Sequence, residues 1–178
     1  MDWRPFDGWR VLGNYTYNNQ IFTDFTEVLA AKGQSAFFDR AGYRIPGVAP
    51  HELTARLGYD APYGEFKGLG AYVEYLYKSN YFLENGNVLT IPSYGLVNVN
   101  AHWDRDLNWG WLKSAGVYFE VRNVGDRHWV ASANNIQNSA TLVNGVLVQN
   151  PYATMAGSTG SIYAGNPRLI QGGVKFKF

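Results

Sequence analysis

The stretch Gly68-Leu69-Gly70-Ala71-Tyr72-Val73-Glu74-Tyr75-Leu76-Tyr77-Lys78 decides the fold. In an extended chain Leu69, Ala71, Val73, Tyr75 and Tyr77 share one side, and Tyr72, Glu74 and Lys78 share the other. Period-two alternation is the mark of a β-strand with a single apolar face. The run has about ten residues, the length of a tilted strand that crosses a bilayer.

Five further segments repeat the pattern. In Gly8–Asn18, Trp9, Val11, Gly13, Tyr15 and Tyr17 oppose Arg10, Leu12, Asn14, Thr16 and Asn18. In Glu52–Asp60, Leu53, Ala55, Leu57 and Tyr59 oppose Glu52, Thr54, Arg56 and Asp60. In Tyr94–Asp104, Val97, Val99, Ala101 and Trp103 oppose Asn98, Asn100, His102 and Asp104. In Ala115–Asn123, Val117, Phe119 and Val121 oppose Tyr118, Glu120 and Arg122. At the end of the chain Ile170, Gly172, Val174, Phe176 and Phe178 oppose Gln171, Lys175 and Lys177. The connections Ala61–Lys67 and Arg105–Ser114 are short, whereas Gln20–His51, Ser79–Ser93 and Val124–Pro167 are long. All the long loops then lie at one end. That is the habit of outer-membrane barrels, with short periplasmic turns and long extracellular loops. The fold class expected is all-β, an antiparallel transmembrane β-barrel.

Within the long loops two local features are expected. Thr141–Val148 places two β-favouring runs around Asn144-Gly145, a hairpin signal of the type I′ turn. Glu27–Lys32 followed by Gly33 predicts one or two helical turns ended by glycine.

Composition agrees with a membrane barrel. Charged residues are 16% of 178, low for a soluble domain, and aromatics are another 16%, with 13 Tyr and 6 Trp. Tyr and Trp collect at the two membrane–water interfaces. No run approaches the roughly 18 apolar residues of a transmembrane helix. A net charge of +1 gives no electrostatic case for nucleic acid. The absence of cysteine excludes disulfides and thiolate metal sites. Met1–Phe6 lacks the basic start and apolar core of a secretory signal, so an exported chain would begin inside a longer precursor or after processing.

Motifs for chemistry fail on inspection. His51-Glu52 has Ala55 where a zinc protease needs its second histidine. Asp104-x-Asp106-x-Asn108 has Trp109 where a calcium loop needs glycine, and reads as an acidic periplasmic turn. His102 has no serine or cysteine placed to act as a nucleophile, and reads as a lumen-lining residue. Gly157–Gly160 lacks the lysine of a phosphate loop. The chain is therefore read as no enzyme, with no catalytic residue, metal or cofactor.

Several segments resemble TonB-dependent receptors. Tyr43-Arg44-Ile45-Pro46-Gly47-Val48-Ala49-Pro50-His51-Glu52-Leu53 is similar to the family's Pro-Gly-Val-Pro-Arg-His-like entry to a descending strand, without its Arg. Ile91-Pro92-Ser93-Tyr94, followed by Val97 and Asn98, is similar to its Pro-Gly-Tyr entry. Val121–Trp129 (VRNVGDRHW) resembles Asn-Leu-Phe-Asp-Lys-x-Tyr in altered form, and Gly165-Asn166-Pro167-Arg168 resembles Gly-x-Pro-Arg. The resemblance implies that residues 1–178 are the C-terminal part of a barrel domain, its last six strands out of roughly 22. The plug and the segment that meets TonB would lie outside this chain. The whole protein would take up a ferric siderophore or another small ligand across the bacterial outer membrane. Its partners would be outer-membrane lipid, the TonB system and the barrel-assembly machinery, the last reading Phe176 and Phe178 at the end of the chain. Loop residues Arg40, Tyr43, Arg44, Tyr81, Phe82, Arg127, Trp129 and Tyr152 are of the types that pair with and stack on an anionic, aromatic ligand. Packing of the loops against one another is the competing reading of the same residues. Two other readings of the chain remain: a small or oligomeric outer-membrane barrel with a structural or adhesin role, and a secreted β-protein that binds carbohydrate.

Overall fold

A computed structural model describes residues 1–133, 140–150 and 162–178. In chain order the described strands are β1 (Asp2–Trp3), β2 (Trp9–Tyr17), β3 (Thr26–Ala31), β4 (Gln34–Asp39), β5 (His51–Asp60), β6 (Leu69–Lys78), β7 (Tyr81–Phe82), β8 (Thr90–Ile91), β9 (Tyr94–Trp109), β10 (Leu112–Arg122), β11 (Val130–Ala133), β12 (Ala140–Val143), β13 (Val146–Gln149), β14 (Ile162–Ala164) and β15 (Leu169–Lys177). The described residues contain no helix.

One seven-stranded antiparallel sheet carries the chain, in the order β1-β2-β5-β6-β9-β10-β15. The six expected long strands are all present, in sequence order, each paired with the next. The ladder is in register across the sheet. One row runs Val11, Leu57, Val73, Val99, Val121, Ile170 through all six long strands. A slip of one residue would turn every side chain to the other face, so this row fixes the sidedness of the whole wall.

That sidedness is inverted relative to a soluble protein. Along β6 the apolar Leu69, Ala71, Val73 and Tyr75 are exposed, whereas Tyr72, Glu74, Leu76 and Lys78 are partly covered. Leu57, Val73, Phe119 and Val174 are each at least half exposed on the same face. A continuous apolar sheet face this large is the signature of an interaction surface. Trp9 and Tyr59 pack at its short-turn end with ring centroids 5.2 Å apart. Tyr15 and Tyr17 flank it at the long-loop end. The nine residues of β2 reach about 27 Å at ~3.4 Å per residue.

The structure corrects three readings. Glu27–Lys32 is not helical: β3 pairs with β4 from Thr26↔Asp39 to Ala31↔Gln34. Lys32 and Gly33 both have positive φ, 50° and 78°, and make the tight turn of a hairpin. Arg105–Ser114 is not a loop. β9 continues to Trp109, the turn shrinks to Gly110-Trp111, and Asp104 and Asp106 lie in a strand rather than an acidic turn. The sheet also has a seventh strand, β1, too short to show alternation. The Asn144-Gly145 hairpin forms as expected, with φ of 52° and 79°.

The buried apolar cluster sits in the loops, away from the sheet faces. Ala49, Tyr81, Leu83, Leu89 and Ile91 form it, with Val130 and Ala133 packed against them. It joins all three long loops at one end of the wall. At the other end Gly68 (φ 86°) lies so close to the Asp104 carbonyl that any Cβ would collide with it.

Candidate functional site: the polar face and the loop cap

The polar face is a set of paired side chains, most of them brought together across strands by the register. Arg56 of β5 stands opposite Glu74 of β6, which stands opposite Asn98 of β9. The Arg56 Nε donates to Glu74 Oε2 at 3.1 Å, and its guanidinium lies 4.3 Å from the Tyr72 ring centroid. Asn98 Nδ2 donates to Glu74 Oε1 at 3.0 Å. One row lower, Glu120 pairs with Arg122 at 3.0 Å and accepts a bond from Gln171. Lys78 meets Glu52 at 3.2 Å, and His102 Nε2 lies 2.8 Å from Asp60. Of these groups Arg56, Tyr72, Glu74, Asn98, Glu120 and Arg122 line a groove of about 430 Å³ that Trp129, Leu76, Leu96 and Leu169 also border. It is a polar wall with donors, acceptors and balanced charge, suited to a solute passing or resting.

Above it, the three long loops are tied into one cap. Glu84 is the most deeply buried side chain described, 1% exposed. Its carboxylate accepts from the backbone N–H of Gly86 and Val88, from Leu89 N–H at 2.8 Å, and from Gln149 Nε2 at 2.9 Å. Glu84 therefore shapes its own turn and fastens the β12–β13 hairpin to it. Asn85 Nδ2 reaches Glu27 Oε1 at 2.9 Å, and the Asn87 side chain bonds the backbone of Arg44 in both directions. Asn123 closes the base of the last loop. Its side chain exchanges bonds with the backbone of Arg127 and also donates to the Asn166 carbonyl at 3.2 Å. Asp126 accepts from Arg168 N–H at 2.8 Å. The two segments that resemble family motifs, Val121–Trp129 in altered form and Gly165–Arg168, thus hold one another.

The residues proposed for ligand contact divide by position. Arg40 is 3% exposed, paired with Glu27 at 2.8 Å, its guanidinium near the Phe38 and Tyr43 rings. Tyr81 is buried in the loop core, and Phe82 is half-buried in β7. Tyr43, Arg44 and Arg127 are exposed, and Arg127 donates to the Gly95 carbonyl at 3.1 Å. Trp129 packs on Tyr94 at 4.4 Å and donates to Asn166. Tyr152 and Gly157–Gly160 lie outside the described residues. Phe176 and Phe178 sit at the short-turn end, both exposed. The Phe178 ring stacks on Trp111 at 5.2 Å, and Lys113 donates to its carbonyl.

Sequence reasoning placed Arg56, Glu74, Asn98, Glu120 and Gln171 on polar faces without joining them. Their pairing needs the register. Glu84 and Asn123 were missed. The signal for Asn123 was available, since it begins the altered motif, and its positive φ of 52° suits asparagine.

No curated protein matches this chain. In solved structures it is similar to the unliganded crystal structure of the ferric citrate transporter FecA, with a TM-score of 0.58 and 17% identity. The match covers 96% of this chain and 21% of that one, so the chain spans about a fifth of its length. The family model described as TonB dependent receptor-like, beta-barrel matches residues 1–124. With antiparallel strands paired in sequence order, one face apolar and the other polar, the chain belongs to the TonB-dependent receptor β-barrel family.

Proposed function

We propose that this chain is the C-terminal wall of a TonB-dependent transporter in the outer membrane of a Gram-negative bacterium. Its apolar face meets lipid, its polar face lines the lumen, and its long loops face the outside. The observation that carries the reading is the inverted sheet, apolar side exposed and polar side cross-linked, in a family of receptor barrels. A closed barrel of these strands alone is disfavoured, because β1 and β15 are edges with no partner among the described strands.

The ligand class we propose is a ferric chelate of the siderophore kind. Support comes from the exposed Tyr43, Arg44 and Arg127 at the loop end, and from FecA, which carries ferric citrate. Arg40 and Tyr81 then hold the loops that present those residues. TonB would engage a part of the protein outside this chain, and Phe176 and Phe178 would be read by the assembly machinery before the last strand closes. The test is uptake of radioactive iron by iron-starved cells with and without the full-length gene, across citrate, catecholate and hydroxamate chelates. Loss of uptake for one chelate, reproduced by removing TonB, supports the reading. Unchanged uptake of every chelate removes the iron assignment.

A further inference from the structure

The cap and the polar wall are joined at one side chain. Asn98 is 8% exposed and sits on β9, the central long strand of the path between them. Its Oδ1 accepts from the Asn123 backbone N–H at 2.9 Å, and its Nδ2 donates to Glu74 Oε1 at 3.0 Å. Asn123 holds both ends of the last long loop, through Arg127 and Asn166. Glu74 holds Arg56, two strands away from β9. Hydrogen bonds therefore run without a break from the loop base, through Asn123, Asn98 and Glu74, to Arg56 in mid-wall. Each member is buried or partly buried, where a lost partner costs most. An amide is suited to this post, having an acceptor for the loop's N–H and a donor for the wall's carboxylate.

We infer that Asn98 is a positioning residue that couples the base of the last long loop to the Arg56–Glu74 pair, so that displacement of either one loosens the other. The coupling is a property of this wall and does not depend on which ligand, if any, the protein carries.

The test uses the full-length protein in detergent, with a nitroxide on Val124→Cys at the loop base. This chain supplies no competing cysteine, and Val124 is exposed. Glu74→Ala, a change in mid-wall, should release the label to the mobility seen in Asn98→Ala. The Glu74→Ala/Asn98→Ala double variant should release it no further. Exchanging the roles in Asn98→Asp/Glu74→Gln leaves an acceptor for Asn123, a new donor–acceptor pair between strands and an acceptor for Arg56, and should return the label to its original spectrum. Heat-modifiable gel mobility confirms that each variant is folded. The inference is overturned if Glu74→Ala leaves the label unchanged, if the two alanine effects simply add, or if the exchange fails to restore the spectrum in a folded barrel.

Discussion

A few polar side chains hold the loop end in shape, and their positions tell them apart from ligand contacts. Removing the Glu84 carboxylate orphans the N–H groups of Gly86, Val88 and Leu89 and breaks the bond from Gln149. Each buried donor left unpaired costs about 1–3 kcal/mol. Glu84→Ala should therefore open the cap while leaving the strands intact. Hydrogen exchange should show those three amides becoming fast and the amides of β5 and β6 staying slow; unchanged protection would contradict the assignment. The arginines separate in the same way. Arg44→Ala and Arg127→Ala each remove an exposed charge, and a charged hydrogen bond of about 1.5–3 kcal/mol predicts roughly 10- to 100-fold weaker chelate binding. Arg40→Ala removes the buried Arg40–Glu27 ion pair and should act through loop order, broadening loop signals even without ligand. Titration of the full-length protein with the ferric chelates proposed as its ligands, beside ligand-free spectra, distinguishes the two effects.

The elements were legible where one face is apolar and the partner strand adds nothing new. Alternation in Leu69–Lys78 and its five companions needs only the residues themselves, and their ends agree with the structure to within three positions, except that β9 runs five residues further. Legibility failed where pairing decides. Glu27–Lys32 is rich in helix formers, yet its pairing with Gln34–Asp39 across the Lys32-Gly33 turn makes it a strand. Asp104, Arg105 and Asp106 break the apolar pattern, yet Asp106 pairs with Ser114 and Arg105 with Ala115, so β9 runs on. On the candidate site, the sequence told which residues face the polar side, but not that Glu74 meets both Arg56 and Asn98. Register carries that information. Sidedness makes its own prediction. Leu57→Lys on β5 should cost about 2–4 kcal/mol if that face meets lipid, whereas Thr54→Lys on the opposite face of the same strand should be tolerated. Folding titrations in lipid vesicles measure both, and equal costs would contradict an inside and an outside.

At the scale of the whole molecule, the chain is a wall with two edges unpaired among the described strands, and a cap. Unpaired strand edges bind other edges, so the isolated chain should self-associate in detergent, while the full-length protein, with those edges paired, should run as a monomer on sizing columns. The wall's strand order and polarity fit a segment of a larger barrel, and the family match and the likeness to FecA point the same way. The most direct test of the account is a scan of single nitroxides along Leu69–Lys78 in the full-length protein, reconstituted in bilayers, with oxygen and a water-soluble nickel complex as relaxing agents. The account predicts strict period-two alternation. Labels at positions 69, 71, 73, 75 and 77 should be relaxed by oxygen, and those at 70, 72, 74, 76 and 78 by nickel. Alternation of the opposite phase, or equal access to nickel on both faces, would contradict it.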